Sequence, residues 1–292
     1  MAGRILMATF VAGACALSWP GGPCRADGDG GSGEPQQSQG GNDGQPGQPP
    51  LYVSPAAKEV LDRAVLMMGG AAALNGITGV DFDCTMVGDQ GTMIMKVAAR
   101  KNHGVRVEQW LTPPGADQAL QHMMLTTNMQ MGWARDLQGD GLRIMPGEVV
   151  SSVAKAGDLW NMVLSGTSQF AHVEHDGAAT FASRPCAKLV FTQPRTTGLQ
   201  KATVYFDDET GLPLGQETAT AMDVLIAGTA RIDEWQTVDG LMVPKKIAVE
   251  GQMGSSVLTF DRLAFNNVPT DIFSVPDDVV QLAAASAAGN QF

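Results

Sequence analysis

Apolar residues recur along this chain with two periods, first that of a helix and then that of a strand. Ser54 stands where a helix N-cap is expected, and Pro55 suits the first helical position. Ala57, Val60, Leu61, Ala64, Val65 and Met68 follow at i, i+3, i+4 spacing on one face. Gly69-Gly70 ends the helix, and a short turn over 71–75 stops at Gly76. The period then falls to two. Val80, Phe82, Cys84 and Met86 alternate with Asp81, Asp83 and Thr85, which predicts a strand with one buried and one wet face. Gly88-Asp89-Gln90-Gly91 turns the chain; Met93, Met95 and Val97 then alternate with Thr92 and Lys96, and Val105 and Val107 continue the pattern to Trp110. Thr112-Pro113-Pro114-Gly115 breaks it. Positions 123–127 and 132–136 read as a hairpin, and Gly139-Asp140-Gly141 as a turn.

A second helix is expected over 148–164, with Val149, Val150, Val153, Leu159, Trp160, Met162 and Val163 as its apolar residues and Gly157 interrupting it. Strands resume over 169–175, with Asp176-Gly177 as a hairpin turn, then over 180–183 and 187–192. The last quarter, 204–276, is a run of strands. Val204-Tyr205-Phe206 enters the turn Asp207-Asp208-Glu209-Thr210-Gly211-Leu212-Pro213. Strands over 216–220 and 229–237 lead to the tight hairpin signal Asp239-Gly240, followed by strands over 242–250 and 256–265. Strands follow strands without βαβ alternation, so the fold is mainly β with α, and the sheet antiparallel. Two helices cannot cover a long sheet on both faces. The expected solution is a strongly curved sheet with the helices in its concave side.

The flanks have a different composition. Arg4, an apolar stretch over 5–19 and Cys24-Arg25-Ala26 read as a signal peptide, 1–26, cleaved after Ala26. Such a signal points to a periplasmic or secreted protein; a retained anchor is the alternative. Residues 27–50 are a disordered linker of Gly, Pro, Gln and Ser with nothing apolar to bury. Within it, Gly28-Asp29-Gly30-Gly31-Ser32-Gly33 fits a dinucleotide fingerprint, but no strand precedes it and no helix follows, so it is composition only. The folded domain is expected over 51–280 and a flexible tail over 281–292. The formal charge is −11, with 19 Lys and Arg against 30 Asp and Glu, which excludes a nucleic-acid partner.

Candidate chemistry is sparse. No nucleophile elbow, zincin or P-loop motif is present, so no catalytic residues, no cofactor and no metal are expected. His172 and Glu174 share a strand face while His175 points away, so the three do not converge on a metal. His103 and His122 have no obvious partners. Asp136 to Gly141 lacks a closing Glu, since Gly147 holds the twelfth place, and is read as a turn. Cys84 and Cys186 form either one disulfide or two small buried apolar residues. Methionine is the suggestive feature: eight of the 16 lie between Met86 and Met145. Flexible, polarisable side chains suit a cavity for variable acyl chains, though Met also fills ordinary cores. Met93, Met95, Met123 and Trp133, with Leu159, Trp160 and Val163 from the second helix, are the expected apolar lining.

The order of these pieces resembles the periplasmic lipoprotein-carrier superfamily, the LolA-like and LppX-like half-barrels. The resemblance rests on Met68-Gly69-Gly70 with Ala73-Leu74 and Ile77, on Gly132-Trp133, and on Pro146-Gly147-Glu148 before a helix. It continues in Asp208-Glu209-Thr210-Gly211-Leu212-Pro213 and Val238-Asp239-Gly240-Leu241-Met242-Val243-Pro244. It closes with Phe265-Asn266-Asn267, Asp271, Phe273 and Pro276. What it implies is a half-barrel of about eleven strands and an apolar cavity under helical lids. The implied role is binding of a lipid or acylated protein by a monomeric, non-enzymatic carrier or sensor. An envelope receptor or membrane surface is a further candidate partner. The alternative is an envelope interaction module with a self-filled core.

Overall fold

A computed structural model describes residues 52–128, 130–139, 141–145, 172–195, 198–221, 225–251 and 254–289. The signal peptide, the linker and the helix expected over 148–164 lie outside these residues. Helix α1 (Pro55–Met67) starts where the sequence places it: the Ser54 hydroxyl accepts the Ala57 N–H at 3.3 Å. Gly69 (φ 121°) and Gly70 (φ 87°) then turn the chain into α2 (Ala71–Asn75).

Among the described residues, fourteen strands form one large, curved, unclosed sheet. They are β1 (Tyr52–Val53), β2 (Gly79–Gly88), β3 (Gly91–Arg100), β4 (Gly104–Thr112), β5 (Gln121–Asn128), β6 (Gly132–Asp136) and β7 (Leu142–Ile144). The second series is β8 (His172–Phe181), β9 (Arg184–Arg195), β10 (Gly198–Asp207), β11 (Pro213–Ala221), β12 (Leu225–Val238), β13 (Leu241–Gly251) and β14 (Gly254–Phe265). The spatial order is β1-β8-β9-β10-β11-β12-β13-β14-β2-β3-β4-β5-β6-β7. Two up-and-down meanders thus meet at β14 and β2. Pairing is antiparallel throughout, except that β1 lies parallel to β8. Register shifts in β8, β10, β12 and β14 mark bulges, which bend strands and raise their twist.

Three sequence expectations are corrected. The sheet has fourteen strands rather than about eleven; β1 and β7 are two and three residues long, too short for alternation to be read. Asp176-Gly177 is not a hairpin turn. Strand β8 runs through it with a register shift between His175 and Ala178, and the chain reverses at Ala182 (φ 50°) and Ser183 (φ 64°). That is type I′ geometry without its usual Asn or Gly. Finally, the expected tail from 281 belongs to a helix, α3 (Asp277–Gly289). Asp277 and Asp278 suit its positive N-terminal end, alanines fill its body, and Val279 is fully buried.

Helices α1 and α2 pack on one sheet face. Ala57 and Ala64 cluster with Val173, Leu189, Phe191, Ala202 and Phe206. Met68 and Leu74 join Phe82, Met95, Val243 and Leu258. The closing segment goes to the other face. A Cβ at Gly104 would meet the Phe273 ring at 3.0 Å, and Arg135 pairs with Asp278.

Two predictions follow from this packing. A Cβ on Gly69 would meet Leu241 Cδ2 at 2.7 Å, whereas one on Gly70 meets nothing within 4 Å. Gly70→Ala should cost about 1–3 kcal/mol for its backbone conformation alone, since φ 87° with ψ 156° is a region kept to glycine. Gly69→Ala should cost more, read as a larger drop in urea midpoint. Arg135, by hydrogen bonding, holds the Asp278 carboxyl below its ordinary value of 3.8. A lowered folded pKa gives stability that is present above the unfolded pKa and lost as pH falls through the folded one. The thermal midpoint of Asp278→Asn should therefore lie below wild type at pH 7 and approach it under pH 3.

Candidate binding face

Residues paired directly across neighbouring strands share a sheet face. The face under α1 and α2 can therefore be read in rows. Phe265, Val80, Ala99, Val105 and Thr127 form one row. Leu263, Phe82, Val97, Val107, Leu125 and Ala134 form the next. The third is Phe260, Cys84, Met95, Gln109 and Met123. The fourth is Leu258, Met86, Met93, Leu111 and Gln121. The expected lining residues Met93, Met95 and Met123 are all buried and lie together in the third and fourth rows. Met86 and Leu111, toward the Gly88–Gly91 turn, are only half-buried.

Trp133 is separated from them. It pairs with Thr126 and Ile144, out of step with Leu125 and Ala134, and so belongs to the opposite face. It is buried there, on the side where Arg135 reaches Asp278. The sequence marks this pair of strands as a hairpin, but the register between β5 and β6 decides the face, and no residue pattern states that register. Leu159, Trp160 and Val163 lie outside the described residues.

The disulfide alternative is corrected: Cys84 and Cys186 are free, buried thiols in separate apolar clusters. Strands β2 and β9 stand six places apart in the sheet order. Burial, with lesser help from Asp261 and Asp83, pushes the Cys84 thiol up to about 12, and burial likewise raises Cys186.

The histidines find local partners. His122 Nε2 lies 2.8 Å from Glu108 Oε1, and its ring stacks on Trp110 at 4.6 Å. His172 pairs with Glu174 at 2.8 Å, while His175 stands opposite Leu189 on the other face. Among the described residues, no group of three or more His, Cys, Asp or Glu can hold a metal ion. Asp136 forms a turn as expected, its Oδ1 accepting the Gln138 N–H at 2.9 Å and the Gly139 N–H at 3.3 Å.

The sequence reading passed over two side chains on the apolar face. Gln109 is 3% exposed, in the third row between Met95 and Met123, and its Oε1 has no hydrogen-bond partner. Gln216 is 8% exposed and aligns with Val204 and Ala230; its Nε2 is also unpartnered. The signal for Gln109 was present. Val105, Val107 and Leu111 set the apolar phase of β4, and Gln109 occupies an apolar position within it.

These features define a class, a half-open β-sheet with an apolar, partly helix-covered face. No protein-family model matches the chain, and no curated protein does. Solved structures do. A DUF1329 family protein from Desulfovibrio piger superposes with TM-score 0.51 at 14% identity, over 74% of this chain and 96% of that one. A putative outer membrane lipoprotein-sorting protein domain from Vibrio parahaemolyticus gives TM-score 0.47 at 12% identity, over 78% and 98%. Mycobacterium tuberculosis lipoprotein LppX gives 0.29 at 13%, over 73% and 99%. The likeness is one of fold alone.

Both thiols should resist iodoacetamide at pH 8 in the native protein and be alkylated fully in denaturant, as read by intact mass. Native modification of Cys84 would contradict its burial.

Proposed function

We propose that this protein is an exported, non-enzymatic carrier or sensor that holds an acyl chain against the helix-covered face of its sheet. The observation carrying this reading is the set of adjoining apolar rows across β14, β2, β3, β4 and β5, with Met86, Met93, Met95 and Met123 gathered in two neighbouring rows. In this reading the face is the concave side of a half-barrel, with Met93, Met95 and Met123 as lining and Leu159, Trp160 and Val163 completing it from the segment over 148–164. Trp133 has no part in it. Each methylene withdrawn from water contributes about 0.8 kcal/mol, so a long chain gains affinity without a charged anchor. Thioether side chains, with three rotatable bonds, adapt to chains of different shape. The domain, expected over 51–280 and carried on by α3 to Gly289, is tethered by 27–50 and delivered to the periplasm by a signal peptide over 1–26. The ligand is a lipid or acylated protein, loaded and released at a membrane surface or receptor by a monomer.

A second reading draws on the same burial. Met95 at 1% and Met123 at 4% exposure also describe a core filled by its own side chains, which would leave an envelope interaction module. Native mass spectrometry separates the two. Protein recovered without detergent from the envelope of cells expressing the full chain should carry added mass that dissociates as a lipid. A clean apo mass, with no uptake of offered lipids or acylated peptides, would overturn the carrier reading in favour of the module.

A further inference from the structure

Buried amides are normally satisfied at both ends by protein or water. Gln109 breaks that rule in the middle of the methionine rows. Its Oε1 is buried with no donor, flanked by Met95 and Met123 on paired strands and by Val107 and Leu111 along its own. Gln216 breaks it on the same face, with a buried Nε2 that has no acceptor. The face continues from one to the other: Gln216 aligns with Ala230, Val249 and Ser256, and Ser256 shares its side of β14 with Phe260 of the Gln109 row. A face built only to exclude water would place aliphatic residues at both positions.

Resting on the lipid-binding reading, we propose that the ligand is an acyl lipid bearing a hydrogen-bond donor near its chain. The donor is an amide N–H or a chain hydroxyl, and Gln109 Oε1 receives it. An ester linkage supplies acceptors only and would leave Oε1 unpaired. A carbonyl elsewhere on the same ligand class has a matching donor in Gln216 Nε2. The apolar rows give affinity for any chain, and Gln109 selects among chains of equal length by the group they carry. This is the arrangement in which a missing donor is penalised most, because a buried acceptor is then left dry.

The test uses three probes with one palmitoyl chain: N-methyl palmitamide, methyl 3-hydroxypalmitate and methyl palmitate. Each is titrated into protein purified from the envelope after expression of the full chain and delipidated. The two donor-bearing probes should bind about tenfold tighter than methyl palmitate, the effect of one buried hydrogen bond. If only one of them does, the donor is thereby identified as amide or hydroxyl. Gln109→Met, close to isosteric, should lose the preference, so that the three probes bind it with equal affinity. Its apo thermal midpoint should hold or rise, since an unpaired polar atom is removed. Equal binding of all three probes by wild type, or an undiminished preference in Gln109→Met, overturns the donor inference while leaving the lipid reading intact. A lower apo midpoint in both Gln109→Met and Gln109→Leu would show that the amide serves the fold, and also overturns it. If wild type binds none of the probes, the lipid reading fails and the donor inference fails with it.

Discussion

The pairing of β14 with β2 makes one sheet out of two. Strands β2 to β7 and β8 to β14 are each local meanders, and among the described strands only this pairing joins them. It is closed from both sides. On the helix-covered face the Phe82 and Phe260 rings meet edge to face with centroids 5.4 Å apart, a contact contributing about 0.5–1.5 kcal/mol beyond its buried area. On the other face, Arg262 spans the seam to Asp81 and Asp83 at 2.8 and 2.9 Å. At one end of the seam, Asn266 in a left-handed conformation accepts the Thr78 N–H at 2.7 Å and the Gly79 N–H at 3.3 Å. The solvent-facing ion pairs add little singly. The ladder and the ring pair do most of the work, and the polar groups fix register.

That seam explains why the apolar face is continuous. The apolar rows run from β14 through β2 and β3 without a break, so they are continuous only if the register of the seam is kept. A slip by one residue would turn Phe82, Cys84 and Met86 outward and bring Asp81 and Asp83 into the core. The Arg262 bridge guards against that slip, since it forms only when both aspartates face the same side as the arginine. Joining segments 188 residues apart, as the Thr78–Asn266 contact does, also carries a large loop-closure cost that must be met before the contact forms.

Much of this was legible because it depends on local chemistry. The Ser54-Pro55 start of α1, the Gly69-Gly70 stop and the Asp239-Gly240 hairpin (φ 51° and 80°) each follow from the conformations those residues favour. Period-two patterning gave the faces of β2 and β3 directly. What was not legible depends on register or on packing between distant segments. The side on which Trp133 lies is fixed by the β5–β6 register, which no local pattern states. Asp176-Gly177 has hairpin composition yet sits in the β8 bulge, while Ala182-Ser183, which makes the reversal, lacks it. Short β1 and β7 exist only because a neighbour pairs with them. His122 gained Glu108 and Trp110 as partners through the β4–β5 register, which spacing alone does not encode.

The carrier reading and the self-filled reading make opposite statements about one atom. Where a core exists only for stability, a glutamine between two methionines is a defect, and any aliphatic residue of similar size improves it. Where the face exists to hold something that comes and goes, the same glutamine is unpaired only in the empty protein and becomes satisfied on binding. The cost then belongs to the apo state and adds to the difference between loaded and empty forms, which favours loading by a ligand with the matching group. A second unpaired amide on the same face, Gln216, makes an isolated packing defect a weaker account. Methionine supports the same view from the apolar side, since unbranched thioethers pack adequately in more than one arrangement where Leu or Ile would commit to one. Adaptable apolar contact around a fixed polar acceptor is the combination expected of a face that tolerates variation in chain shape while discriminating in head chemistry.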